Sequence, residues 1–154
     1  MWNVVSVIIA FALDFYVYEF YFKRYTRYME FKGRILTLIS KHSQCLALPY
    51  KSYDSNYQEK IDFYIKAKED FSNLSDELMG FSEHIPKLNF TLPNRKAVFN
   101  AARELKNISE IIYEDKNPIH YQVMNSINNS LAIIAKNMKL ETGEIYVGEK
   151  EKQK

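Results

Sequence analysis

The chain opens with a segment that few folds can absorb. Residues 1 to 13, MWNVVSVIIAFAL, carry no charged side chain. Asp14 is then followed by a mostly aromatic stretch to Phe22, in which Glu19 is the one charged residue, before Lys23 and Arg24 close the segment. As a helix, Trp2 to Phe22 would be about 31 Å long at ~1.5 Å per residue. That matches a hydrocarbon core of about 30 Å. Residues 1–22 are therefore expected to be a single-pass transmembrane anchor, with the lipid bilayer as the first partner.

Flanking charge gives the expected orientation. Lys23, Arg24, Arg27, Lys32, Arg34 and Lys41 follow the apolar segment, against a lone Glu30, and no charged side chain precedes it. The positive-inside rule then puts the N-terminus outside and the C-terminal part in the cytoplasm, at the cell's inner (plasma) membrane. Trp2 near one end, and Tyr21 and Tyr25 near the other, suit two interfacial belts. Lys23, Arg24 and Arg27 form a juxtamembrane collar that anionic lipid would attract by about 1 kcal/mol per cation.

Asp14 opposes this reading. A charge at mid-span costs roughly 2.5–3.5 kcal/mol on insertion scales, while each Leu, Ile, Phe or Val returns about 0.3–0.6 kcal/mol. The many apolar residues of the segment leave the sum favourable. Asp14 can be protonated, can bond Tyr18 one turn on, or can face a second copy of the helix, which makes it the candidate self-association residue. Two alternatives stand beside the anchor. A buried core helix of a soluble oligomer would suit the uninterrupted apolar run, and a cleaved signal peptide would suit Ala10-Phe11-Ala12, although no basic region precedes it.

Beyond the anchor the sequence is helical throughout. Tyr28, Phe31, Ile35, Leu38, His42 and Cys45 recur every three or four residues, so the first helix is expected to continue to about Leu48, where Pro49 stops it. A second helix starting at Asp54 or Ser55 carries the near-heptad stripe Tyr57, Ile61, Tyr64, Ala67, Phe71, Leu74, Leu78, Phe81, Ile85, with Asp70 and Glu77 assigned to its charged outer face. A third, opening at Pro93, presents Val98, Ala101, Leu105, Ile108 and Ile112; a fourth, capped by Asn117, presents His120, Met124, Ile127, Leu131, Ile134 and Met138. The expected fold is all-α: a long N-terminal membrane helix continuing into a small antiparallel three- or four-helix bundle over 23–140. Residues 141–154 are expected to be a disordered polar tail.

Composition narrows the function classes. A formal net charge of +2 argues against a dedicated nucleic-acid binder, and one cysteine excludes an intramolecular disulfide framework. The basic aromatic stretch FYFKRYTRYMEFKGR could stack bases, but directly after an apolar helix it reads as a lipid-facing belt, and no nucleic-acid partner is expected. His42 and Cys45 share a face, yet no further metal ligands accompany them at zinc or di-iron spacing. Core packing is their expected role. His84, near the end of the second helix, is expected to interact with the helix dipole. No P-loop, dinucleotide fingerprint, nucleophile elbow or zincin motif occurs, so no enzyme, cofactor or metal is expected.

The layout resembles short bacterial membrane proteins with an N-terminal helix, a basic aromatic follow-on and a helical domain of unknown function. Glu77-Leu78-Met79-Gly80-Phe81, Pro86, Leu92-Pro93-Asn94-Arg95-Lys96, Ala101-Ala102, Leu105, Ile108 and Ser109 carry the likeness. It implies a prokaryotic or phage-related membrane protein and brings no catalytic residues. The expected function is a membrane-anchored interaction or recruitment module for a protein partner. Phe90 and Leu92, in the proline-bounded loop PKLNFTLP, are the expected partner-binding anchors. The alternative is a self-associating membrane effector, a pore-former or defence protein, built on Asp14 as a homo-oligomer.

Overall fold

The apolar segment and the first amphipathic stripe lie on one unbroken rod. In a computed structural model describing residues 2–47, 57–86, 92–113 and 120–140, helix α1 (Trp2–Val17) passes through a π-helical turn (Tyr18–Phe22) into α2 (Lys23–Lys41). At the π turn the Lys23 N–H bonds the Tyr18 carbonyl, five residues back. A π turn adds a residue to the local winding and so re-phases the faces on either side of it. The sequence favours continuity here, because no proline interrupts it and Gly33 is the only weak helix former between Lys23 and Lys41.

From Tyr28 onward one stripe of the rod is buried: Tyr28, Phe31, Ile35, Leu38 and Ile39. The expected run to about Leu48 is interrupted. His42 leaves the helical region (φ −106°, ψ 21°), and α3 (Ser43–Ala47) resumes immediately with Cys45 and Leu46 buried. The break turns the His42 ring into the core against Phe71, with ring centroids 6.0 Å apart.

Three further helices complete the bundle: α4 (Tyr57–Glu83), α5 (Arg95–Ile112) and α6 (His120–Met138). Their apolar spacing dictates the faces they bury. Ala67, Phe71, Leu74, Leu78 and Phe81 of α4, Val98, Ala101, Leu105, Ile108 and Ile112 of α5, and Ile127, Leu131, Ile134 and Met138 of α6 all lie in a single core. Each fully buried Leu, Ile or Phe contributes about 1.5–3 kcal/mol relative to exposure. Ile61, Tyr64 and Met124, also on the expected stripes, are only half-buried. The starts of the second and fourth helices, with their expected caps Asp54, Ser55 and Asn117, lie outside the described residues, as does the tail from 141.

Cross-links fix an antiparallel order. The Ser75 hydroxyl donates to the Ala102 carbonyl at 2.7 Å and Lys106 donates to Ser72 at 2.7 Å, which pairs α4 with α5 head to tail. Ser130 of α6 donates to Glu104 of α5 at 2.8 Å. The Tyr28 hydroxyl donates to the Met138 carbonyl, returning α6 to the beginning of α2. The result is all-helical among the described residues, with α2, α4, α5 and α6 as the four packed rods.

The helix ends follow local chemistry. Asn94, not a residue before Pro93, caps α5: its Oδ1 accepts from the Ala97 N–H at 2.7 Å, so Pro93 sits just outside the helix. At the end of α6, Lys139 takes a left-handed conformation (φ 49°) and Leu140 N–H reaches back to the Ala135 carbonyl at 2.9 Å. That pattern tucks the Leu140 side chain into the core. His84 bonds the Gly80 carbonyl through Nδ1 at 2.8 Å, satisfying an orphan carbonyl at the end of α4.

Candidate functional site

The part of the molecule that its own fold leaves unexplained is the apolar rod ahead of the bundle. From Val5 to Phe22 no described side chain is buried, and Phe11 and Phe15 are 75% and 69% exposed. Large apolar side chains point in every direction around the axis, so no rotation of the helix could hide them against one neighbour. Among the described residues this is the one helix long and apolar enough, by length and composition, to cross a membrane.

Charged groups sit on this rod in two places. Asp14 is exposed about midway along, and among the described residues nothing hydrogen-bonds or ion-pairs its carboxylate. At the other end the groups are organised. Glu19 accepts from Lys23 at 3.2 Å across one turn, and the Arg24 guanidinium lies 5.0 Å from the centre of the Phe20 ring, which itself stacks on Tyr16. Such contacts hold long cationic side chains along the apolar surface while their heads reach outward. Arg27, one turn further, is exposed. Lys23, Arg24 and Arg27 thus form a collar where the rod stops being uniformly apolar. Trp2 begins the helix, with its side chain outside the described part.

Of the two expected loop anchors, the structure describes one. Phe90 lies outside the described residues. Leu92 is 7% exposed and belongs to the core, so it is a packing residue and not an exposed anchor. With Ile85 it closes the core where α4 gives way to α5, a gap that a polar side chain would leave unfilled.

The second concentration of polar groups lies between α2 and α4. His42 is fully buried and its Nε2 meets Asp70 Oδ2 at 2.8 Å, while Lys41 Nζ reaches the same oxygen at 2.7 Å. Burial opposes ionisation of Asp70, but hydrogen bonds from Lys41 and His42 outweigh it and hold the carboxyl below its ordinary range. One level along, Arg34 grips Glu77 with two bonds of 2.6 and 2.8 Å. These bonds depress the Glu77 carboxyl as well. Asp70 and Glu77, placed by spacing on the outer face of the second helix, therefore face α2 across a shallow groove. Spacing alone missed this because both lie at the edge of the apolar stripe, where a neighbouring helix can claim them.

Reactive chemistry is not favoured at Cys45. Burial pushes its thiol up to about 11, so it is protonated at neutral pH and not a nucleophile. Among the described residues no three His, Cys, Asp or Glu side chains gather as metal ligands. No protein-family model, curated protein or solved structure matches the chain.

Proposed function

We propose that this protein is a membrane-anchored helical bundle that serves as an interaction or recruitment module without catalysis of its own. One observation carries the reading: the rod from Val5 to Phe22 exposes apolar side chains on all sides, while the same rod buries only a stripe once it enters the bundle. Lipid is the solvent that fits the first half and water the one that fits the second. The Lys and Arg that follow the apolar segment support a bundle on the cytoplasmic side with the N-terminus outside. A continuous helix through the junction would hold the bundle close to the inner face, where a protein partner would be recruited.

Carbonate washing of membranes from cells making the full chain tests the anchor. Retention in the pellet supports it, and release into the supernatant overturns it. Cysteine substitutions at Asn3 and Asn125, probed with an impermeant thiol reagent on intact cells, test the orientation. Labelling of Asn3→Cys alone is expected.

A second reading rests on Asp14. An unpaired carboxylate at mid-span favours a partner within the bilayer, and a second copy of the helix would supply one. Asp14→Leu would then abolish self-association in detergent cross-linking. Unchanged cross-linking would leave the helix as an anchor alone.

A further inference from the structure

The antiparallel order of the bundle brings together charges that lie far apart in the sequence. Tyr28 meets Met138, Lys32 Nζ donates to the Lys139 carbonyl at 2.9 Å, and the Phe31 and Phe81 rings lie 5.2 Å apart. The end of α6 and the end of α4 therefore sit level with the first turns of α2. Extending the Ser75–Ala102 pairing along antiparallel helices puts Lys96 opposite Phe81, so the start of α5 is at that level too.

Four cations are gathered there: Arg95 and Lys96 in the first turn of α5, and Lys136 and Lys139 at the end of α6. All four are exposed, and none forms an ion pair among the described residues. The positive pole of α5, behind its Asn94 cap, lies on the same side, but so do the negative poles of α4 and α6, so the basic side chains and not the helix dipoles give this face its charge. Among the described residues Glu30 and Glu83 are the exposed anions nearby, too few to balance these cations together with the collar of α2. Farther along α4 the surface mixes both signs, with Asp62, Lys66, Lys68 and Glu69 in succession. The near-zero total charge hides this polarity.

We propose that the end of the bundle nearest the apolar helix is a second membrane contact, a basic face that seats on anionic lipid headgroups. This rests on the anchor reading. The reach is adequate. Tyr28 is six residues past Phe22, an axial rise of about 9 Å. The headgroup layer takes up roughly 5–7 Å on each side of the hydrocarbon. The remaining gap is shorter than the screening length of about 8 Å at physiological salt. Seated in this way, the bundle would be held upright on its helix, with the far end of the four rods presented away from the lipid.

The test uses the full chain in nanodiscs of phosphatidylcholine alone or enriched in phosphatidylglycerol. A soluble acylating reagent reads the reactivity of each lysine by mass spectrometry. Lys96, Lys136 and Lys139 should react about fivefold more slowly in the anionic discs at low salt, a change the attraction per cation allows. Lys66 and Lys68 should not change, and high salt should remove the difference. In the exposed-site variant Lys96→Glu/Lys139→Glu, protection of Lys136 should be lost. Equal rates in the two discs, equal slowing of Lys66 and Lys136, or persistent protection in the variant overturns the proposal. Carbonate washing separates the two readings. A chain retained in membranes with lipid-independent rates sinks the basic face alone, whereas a chain washed free sinks the anchor and the face with it.

Discussion

The two halves of the first rod are made of the same backbone and obey different rules. Between Val5 and Phe22 every described side chain is exposed except the partly covered Glu19. Between Lys23 and Lys41 the core takes Tyr28, Phe31, Ile35, Leu38 and Ile39 while Lys23, Arg27, Glu30 and Arg34 stay outside. A helix that is apolar all round asks for an apolar surrounding, and a striped helix asks for one apolar neighbour and water elsewhere. Under the proposed anchor, the change from one pattern to the other, at the π turn and the basic collar, is where lipid would give way to water. The rod itself need not break there.

The largest effect that would break this comparison is removal of residues 1–22. The truncated chain is expected in the soluble fraction with its helical circular dichroism retained, while the full chain stays with membranes. Aggregation of the truncated chain would mean that the first half packs on the second. Next in size are single apolar truncations placed in each half. Phe71 is fully buried, and Phe71→Ala should cost about 3–5 kcal/mol in denaturant unfolding of the micelle-bound protein. Phe11→Ala, on the exposed half, should move bundle stability by less than about 0.5 kcal/mol. Comparable losses at the two sites would erase the distinction.

A smaller effect sits inside the bundle. Glu104 is a buried carboxylate that accepts from Ser130 at 2.8 Å and from Asn107 at 3.0 Å. Ser130→Ala removes one donor to a buried carboxyl oxygen and should cost about 1–3 kcal/mol in the same unfolding assay. A cost near zero would mean that water replaces the hydroxyl.

Much of the bundle was legible because its apolar residues keep helical spacing. The stripes through Phe71, Leu105 and Ile134 predicted the faces that pack, and His84 was readable as punctuation at the end of α4, whereas the cap of α5 fell at Asn94 and not ahead of Pro93. What spacing cannot supply is which helix lies beside which. Asp70 and Glu77 read as solvent-facing until α2 is placed against them, and Leu92 reads as an exposed loop residue until α4 and α5 close around it. The break at His42 was equally hidden, because nothing in Lys41-His42-Ser43 forbids helix. At the break the ring meets Asp70 and Phe71, both supplied by α4. The basic end of the bundle was invisible for the same reason, since Lys96 and Lys139 become neighbours only through the antiparallel order. The apolar half was readable from composition alone, since it depends on no neighbour within the chain.

The smallest effect lies in the ion pairs that link α2 to α4, and it carries a sign. Asp70 and Glu77 have carboxyls held below their ordinary values, so each favours the folded state in its ionised form. That contribution is complete above the ordinary carboxyl range near pH 4. It fades as the pH falls through the depressed values of the folded protein. Its size is limited by water. Arg34 and Glu77 side chains are 42% and 47% exposed, against 29% for Asp70, and exposed pairs contribute about 0.2–1 kcal/mol. Asp70→Asn and Glu77→Gln should each lower the melting temperature slightly at pH 7 and flatten its decline between pH 4 and pH 2. Asp70→Asn should do more, because it also takes the ionised partner from a fully buried His42. If both variants instead declined as steeply as the natural chain on acidification, the pairs between α2 and α4 would not be the source of its acid lability.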